Sequence, residues 1–295
     1  MLKRCIIAEN RKLHASPIWV IFFVLPLISA GYGTFNYLQN LEILTERWYS
    51  LWTQHTLFYS MLFFPAMVST YAAYLWRLEH LGHNWNLIMA APRAGPFALF
   101  AAKFLVVVKL MCFTQCFVFV LYVACGRLFA GFSDWPPVSI VFYLVRGIFG
   151  GLAVAAVQLL LAMLIRSFAV PIFLGLVGGI AGMLIGNKGY ALLWPYCLMQ
   201  QGMNANRSTD VLAGNVLPFF AGVCGLAGGG AFDRKSAAGK NGCESVKFYR
   251  AAGAAYRRPG GIWRVGICGR APGRARPAPT AAPYISACET PCPAV

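Results

Sequence analysis

Six long runs of apolar residues constrain the fold of this chain more than any other feature of its sequence. The first run, from Pro17 to Tyr37, contains no charged residue over 21 positions. An α-helix rises about 1.5 Å per residue, so a run of this length crosses the roughly 30 Å hydrocarbon core of a bilayer. The six predicted spans are residues 17–37, 56–74, 104–125, 147–165, 168–185 and 211–231.

The composition agrees with a membrane location. Only 12% of the residues are charged and 59% are hydrophobic, whereas about 25% of the residues of a typical soluble domain are charged. A chain of this kind has too little polar surface to keep its apolar side chains away from water. We therefore predict an all-α, multi-pass membrane protein with six transmembrane helices.

The basic residues predict the orientation of the spans, because Lys and Arg are enriched in cytoplasmic loops. If the N-terminus lies in the cytoplasm, eight basic residues fall in cytoplasmic segments of the first 231 residues and four in outer segments. Lys109, inside the third span, and Arg146, at the outer end of the fourth, are not counted. We therefore expect both termini in the cytoplasm. The eight are Lys3, Arg4, Arg11, Lys12, Arg77, Arg93, Lys103 and Arg166, and the four are Arg47, Arg127, Lys188 and Arg207.

Residues 1–16 alternate basic and apolar positions. Ile6, Ile7 and Leu13 can share one face of a helix. The basic residues lie on the other face: Lys3, Arg4, Arg11 and Lys12. This pattern predicts a short N-terminal interfacial helix that lies along the cytoplasmic surface of the membrane. The alternative is a plain basic flank that orients the first span, and both interpretations give the same topology.

The longest polar interruption in the first half of the chain runs from Trp76 to Pro96. Leu78, Leu81 and Trp85 recur at helical spacing and predict an amphipathic helix with one anchoring face. Pro92 is expected to end this helix before the third span. The candidate functional residues of this segment are Glu79, Asn84, Trp85 and Pro92.

The fifth run contains repeated glycines at a spacing of four residues: Gly175 with Gly179, and Gly178 with Gly182 and Gly186. Such spacing lets two helix backbones approach closely. We assign Gly175, Gly179, Gly182 and Gly186 to helix packing, either inside the bundle or between subunits.

The sequence lacks the motifs of several enzyme and transporter classes. No GxxxxGK[ST] phosphate loop occurs, so we expect no ATP bound by this chain, no cofactor and no catalytic residues. His80 and His83 are close in sequence, but two imidazoles without a third ligand make a weak metal site, so no metal is expected. No Asp, Glu or His lies in any of the six predicted spans. Energy for uphill transport must then enter from outside the chain.

Residues 232–295 differ from everything before them. They are dominated by Ala, Gly, Pro and Arg and carry 11 basic against 3 acidic residues, while residues 1–231 carry 14 against 6. One interpretation is a disordered basic tail. The other, which we favour, is a reading frame that shifted near the end of the sixth span in GC-rich DNA. The predicted domains are a transmembrane domain over 1–231 and a low-complexity basic tail over 232–295, without a nucleic-acid partner.

The order of these features resembles a known family of membrane proteins. Glu9-Asn10-Arg11-Lys12 is followed by two spans, by Glu79 and Asn84-Trp85 and Pro92, and then by four more spans. This arrangement resembles ABC exporter permeases, and more closely the permease subunits of lantibiotic-protection (immunity) transporters of the MutE/EpiE or MutG/EpiG type. The resemblance covers about residues 1–231, and its motifs are loose.

The resemblance implies a non-catalytic permease subunit in a bacterial cell membrane. Glu79, Asn84, Trp85 and Pro92 would belong to a coupling helix that docks on a separate ABC ATPase subunit, which would bind ATP and Mg. The N-terminal interfacial helix would include Glu9, Arg11 and Lys12. The partners would be that ATPase, a second permease subunit, a lantibiotic or other antimicrobial peptide, and membrane lipid. Alternatives are a permease for another drug, lipid or polymer, or a membrane scaffold that does not transport.

Overall fold

The computed structural model describes residues 2–14, 16–82, 96–188, 190–207, 209–212 and 216–232, without the side chains of Pro96 and of residues 227–232. This part of the chain is helical and contains no strand. The helices are α1 Leu2–Leu13, α2 Ile18–Gln39, α3 Arg47–Leu81, α4 Pro96–Leu128, α5 Val138–Leu164, α6 Ala169–Asn187, α7 Pro195–Gly202 and α8 Val216–Phe232.

Five helices, α2 to α6, are long and apolar enough to cross a membrane. They correspond to the first five predicted spans. The sixth predicted span, residues 211–231, corresponds to α8, whose described apolar part from Val216 to Leu226 is shorter than the other five. The described residues therefore provide five candidate spans, and the sixth stays a prediction. The predicted tail, residues 232–295, lies outside the described residues apart from Phe232.

The second span extends far beyond its apolar run. Helix α3 has 35 residues, which is about 52 Å of helix. Its first turns precede the predicted span, residues 56–74, but Trp48, Leu51 and Trp52 are buried in the core. Packing of these side chains on the bundle keeps the polar region helical. The predicted span, residues 56–74, contains no Asp, Glu or His, but the extensions of the helix beyond its two ends contain His55, Glu79 and His80.

A π-helical turn from Tyr59 to Phe63 interrupts α3. Pro65 follows directly in the next α-helical turn. Proline has no N–H to donate to the carbonyl four residues earlier, and its ring collides with that carbonyl in a regular α-helix. The wider turn accommodates Pro65 and leaves the carbonyl of Met61 facing α6. A Cβ atom added at Gly179 would collide with this carbonyl oxygen.

The glycines of α6 pack against two neighbours within the same chain. Gly175 and Gly179 approach α3 at Ser69 and Met61, where a Cβ atom would overlap existing atoms. Gly182 and Gly186 face α7, where a Cβ atom would lie 3.2 Å from Gln200 Nε2 and 3.7 Å from Cys197 Sγ, respectively. The small side chains let α6 approach both α3 and α7.

Candidate functional site

Four charged side chains from three helices form a closed cluster where α3 ends and α4 begins. The cluster comprises Glu9 and Lys12 from α1, Glu79 from α3 and Lys103 from α4, and we call it the charge cluster. Lys12 Nζ lies 2.7 Å from both Glu9 Oε1 and Glu79 Oε1. Lys103 Nζ lies 2.9 Å from Glu9 Oε2 and 3.1 Å from Glu79 Oε1. Each lysine therefore contacts both carboxylates.

Lys103 is the most deeply buried member, with no exposed surface. Its ammonium group donates to Glu9, to Glu79 and to the carbonyl oxygen of Leu75, the last at 2.8 Å. These three bonds use all the donors that an ammonium group has. The same nitrogen also lies 5.0 Å from the centre of the Trp76 ring, within range of a cation–π contact. Each N–H of the ammonium group therefore has a hydrogen-bond acceptor.

Lys12 lies at the edge of the charge cluster, where 30% of its side chain is exposed. Burial lowers the pKa of Lys12, but the hydrogen bonds that it donates to Glu79 and Glu9 and the negative charges of these two carboxylates together raise it by more, so the net pKa is raised above its ordinary value. A lysine whose pKa is raised in the folded state contributes stability below its unfolded pKa and loses it as the pH rises through the folded one. The contribution of Lys12 is therefore complete at neutral pH and is lost only in strongly alkaline solution.

The helix periodicity explains why α1 can supply two members of the charge cluster. Lys12 and Leu13 follow Glu9 by three and four positions, so all three lie on one face of α1. Glu9 and Leu13 are both buried. Asn10, which follows Glu9 in the sequence, accepts a hydrogen bond from Lys109 on α4. Helix α1 is thus held to the bundle by polar contacts as well as by its apolar side chains.

The last turns of α3 contact a further helix besides α1 and α4. His80 Nε2 lies 2.9 Å from the carbonyl oxygen of Ala162 near the end of α5. The guanidinium of Arg77 lies 5.1 Å from the ring centre of Phe168, in the connection between α5 and α6. Residues 83–95 follow immediately. A displacement of α3 at this point would therefore reach α1, α4 and α5 directly.

The predicted site residues have different outcomes. Glu9, Lys12 and Glu79 lie together in the charge cluster, whereas Arg11 is exposed. Asn84, Trp85 and Pro92 lie outside the described residues. Glu79 was interpreted as part of the ATPase-docking segment, but only 6% of its surface is exposed and its carboxylate contacts lysines of its own chain.

Lys103 is the member of the charge cluster that the sequence did not reveal. The sequence places it only among the basic residues of cytoplasmic segments, because it directly precedes the third predicted span. The available signal is the presence of acidic residues that need a basic partner. The first 125 residues contain two acidic residues near the cytoplasmic ends of predicted spans, Glu9 and Glu79. Buried lysines need such partners, but no local pattern indicates which lysine takes them.

Two cavities lie at the end of the bundle opposite the charge cluster, which we call the far end. The loop cavity has a volume of about 430 Å³. Its lining residues are Ile43, Leu44, Thr45, Glu46, Tyr49, Ser50, Thr53, Gln54, Asn206 and Arg207. They come from the connection between α2 and α3, from the first turns of α3 and from the residues that follow α7. The second, which we call the α6 cavity, has a volume of about 250 Å³ and lies between α3, α6 and α7.

The described residues between α7 and α8, which border both cavities, are attached to the bundle by hydrogen bonds and an ion pair. Asn204, which is buried with a left-handed backbone, donates to the hydroxyl of Tyr49 at 2.8 Å. Trp52 Nε1 donates to the carbonyl oxygen of Met203 at 2.9 Å. Arg146 on α5 forms a two-pronged ion pair with Asp210, at 2.9 and 3.0 Å. The cavities are therefore bounded by fixed backbone.

Comparison with known proteins gives one family match. The family model described as "ABC-2 family transporter protein" matches residues 5–182, a range that includes all four members of the charge cluster. No curated protein and no solved structure matches the chain.

Proposed function

This chain belongs to the ABC-2 family of transporter proteins, and from that premise we propose that its charge cluster couples a separate ATPase to the membrane helices. Membership makes the chain a membrane permease component of an ABC transporter, a transport subunit that works with an ABC ATPase subunit. The finer proposals concern how the ATPase is coupled and what is transported.

The observation that carries the coupling proposal is the position of the charge cluster. It lies within one turn of residues 83–95, the segment that we propose to dock on the ATPase. Closure of an ATPase dimer would displace that segment, and the end of α3 would move with it. Because Lys103 and Lys12 bridge α3 to α4 and α1, the three helices would move as a unit. In this proposal Glu79 positions the coupling segment and does not itself contact the ATPase.

The topology that accompanies this proposal has six spans and both termini in the cytoplasm. Helix α8 would be the sixth span, and α1 would lie along the cytoplasmic surface with Arg11 toward the lipid headgroups. Exposure of Lys3, Arg4 and Arg11 on the side of α1 away from the charge cluster supports that orientation. A second permease subunit would complete the translocation path.

The substrate that we propose is a lantibiotic or similar antimicrobial peptide, which the transporter would expel for self-protection of the cell. The support is the resemblance of the sequence to lantibiotic-protection permeases, together with the loop cavity. That cavity is formed by the two segments expected on the outer surface. Glu46 lines it and the exposed Glu42 lies close by in sequence. Carboxylates at this position would attract a cationic peptide.

Docking is tested by purifying the tagged chain together with the ABC ATPase encoded nearest to its gene. We expect the two proteins to elute together, and Trp85→Ala to weaken the association about tenfold or more, because a buried Trp is a typical binding hot spot. Glu79→Gln should leave co-elution intact but reduce the stimulation of ATP hydrolysis by substrate. Trp135→Ala, an exposed Trp at the far end, is the matched control. Wild-type behaviour in both test variants would contradict the coupling proposal.

The peptide proposal is tested by neutralising the carboxylates of the loop cavity. The double variant Glu42→Gln/Glu46→Gln should lower the resistance of cells to a cationic lantibiotic by on the order of tenfold, which corresponds to about 1.4 kcal/mol of binding free energy. Resistance to an uncharged drug should stay at the wild-type level. Asp134→Asn removes an exposed carboxylate of the far end that does not line the cavity, and it should have no effect. If Asp134→Asn lowers resistance equally, the loop cavity is not the peptide contact.

A further inference from the structure

The α6 cavity is located at one surface of the membrane. Helix α6 has 19 residues, which corresponds to about 29 Å and matches the hydrocarbon thickness of a bilayer. The two ends of α6 therefore mark the two boundaries between hydrocarbon and headgroups. The cavity lies beside Gly182, Gly186 and Asn187, at the boundary of the far end.

The wall of the α6 cavity is apolar on one side and polar on the other. Leu57 and Met61 of α3 and Met183 of α6 form the apolar side. Met183 is 40% exposed, and the next residue, Leu184, is 65% exposed, so this side continues into the surface of α6 that faces lipid. The polar side consists of amide and guanidinium groups, from Asn187, Gln200, Gln201, Asn206 and Arg207.

The charge of the α6 cavity is positive. Arg207 is the charged residue among the described lining residues, and no carboxylate lines the cavity within the same set. Arg207 donates one hydrogen bond, to Asn187 Oδ1 at 3.1 Å, and a guanidinium has five N–H donors. Further donors thus remain for a ligand. Planar guanidinium groups bind phosphate oxygens especially well.

The α6 cavity is created by the backbone geometry of α3 and by the glycines of α6. The π-helical turn at Tyr59–Phe63 widens α3 beside the cavity, and such turns occur frequently at functional sites. On the opposite side, Gly182 and Gly186 place no side chain between α6 and α7. A volume of about 250 Å³ is below the roughly 300–1,000 Å³ of pockets that enclose drug-sized ligands. It suits a headgroup with the first methylenes of a chain.

We propose that the α6 cavity binds an anionic lipid at the far end of the bundle. The phosphate of the headgroup contacts Arg207 and the neighbouring amides. The start of one acyl chain lies along Leu57, Met61 and Met183 and continues into the bilayer. This site borders the loop cavity, with which it shares Asn206 and Arg207, but it does not depend on the identity of the transported substrate.

The test uses the purified full-length chain in detergent, with dioleoylphosphatidylglycerol or dioleoylphosphatidylcholine added, and counts bound lipid by native mass spectrometry. The wild type should retain phosphatidylglycerol in preference to phosphatidylcholine. Arg207→Gln should weaken phosphatidylglycerol binding about tenfold or more, because it removes charge-assisted hydrogen bonds. Arg207→Lys should keep part of the preference. Equal retention of the two lipids by the wild type would overturn the proposal.

A second variant tests the space independently of the charge. Gly186→Leu adds a side chain to the cavity wall at a position where a Cβ atom makes only ordinary contact, and it should abolish phosphatidylglycerol retention. Gly31→Leu adds the same bulk to α2 at a position with no neighbour within 4 Å, and it should bind like the wild type. Size-exclusion chromatography checks that each variant is folded. If folded Gly186→Leu and Arg207→Gln both bind like the wild type, the lipid lies elsewhere and the proposal is wrong.

Short-chain competitors distinguish a lipid site from a phosphate site. Dihexanoylphosphatidylglycerol should displace the bound lipid, whereas glycerol 3-phosphate at the same concentration should not, because it lacks the chain that contacts the apolar side. Equal displacement by both compounds would mean that the apolar side contributes nothing, and it would overturn the assignment of a lipid.

Discussion

Lys103→Met should lower the free energy of unfolding by about 3–5 kcal/mol, since removing one partner of a buried ion pair leaves the other charge uncompensated. Glu9 is 1% exposed and would lose the bond to Lys103 that its Oε2 accepts. The carbonyl of Leu75 would lose its additional donor as well. The measurement is unfolding of the purified chain in mixed micelles, monitored by tryptophan fluorescence during titration with dodecyl sulfate.

Lys109→Met is the matched control for this prediction. Lys109 lies on the same helix but is exposed, and its polar contact is with Asn10, so its loss should cost less than about 1 kcal/mol. The double variant Glu9→Gln/Lys103→Met should recover part of the lost stability, because Lys12 and Glu79 then remain as a balanced pair. Equal stability of Lys103→Met and Lys109→Met would contradict the structure of the charge cluster.

Gly179→Ala should be the most destabilising single-methyl addition among the glycines of α6. The new Cβ atom would overlap the carbonyl oxygen of Met61, and this atom belongs to the backbone of the π-helical turn, which cannot rotate away as a side chain can. Overpacking of this kind typically costs about 1–3 kcal/mol. Here α3 and α6 would have to separate, and thermal unfolding of the purified chain should occur at a lower temperature.

The control for this substitution is Gly31→Ala on α2. A Cβ atom at Gly31 has no neighbour within 4 Å, and Ala is favoured over Gly in a helix interior by about 1 kcal/mol. Gly31→Ala should therefore leave the unfolding temperature unchanged or raise it. Both substitutions add one methyl group, but Gly179→Ala should lower the unfolding temperature and Gly31→Ala should not. A destabilisation shared by both would show that the approach of α6 to Met61 is not the cause.

The length of the apolar runs predicted the existence and the order of the first five spans, because the thickness of the bilayer dictates that length directly. It did not predict the ends of α3. Its first turns contain Arg47, Gln54 and His55, which read as a polar connection. They are helical because Trp48 and Trp52 pack into the core, and such packing involves residues distant in sequence. The left-handed backbone of Asn204 and the ion pair between Arg146 and Asp210 also depend on contacts between residues distant in sequence.

The candidate site was predictable only in part for a related reason. The sequence marked Glu9 and Lys12 in the first helix, and Glu79 before the polar segment. It did not indicate that they meet, because Glu9 and Lys103 are 94 positions apart. Glu79 was therefore interpreted as a residue that faces a partner protein. The two cavities of the far end could not be predicted from the sequence, because each is lined by segments from distant parts of the chain.

The charge cluster also determines how this end of the molecule responds to ionic strength. Two glutamates and two lysines sum to a formal charge of zero, so the cluster adds no net charge to this end of the protein. Among the described residues of this end, exposed basic side chains contribute positive charge: Lys3, Arg4, Arg11, Arg77 and Arg166. Counterions screen exposed charges over about 8–10 Å and reach buried ones far less. Added salt should therefore weaken the attraction of this end to an acidic surface, while α1 stays attached to the helices beneath it.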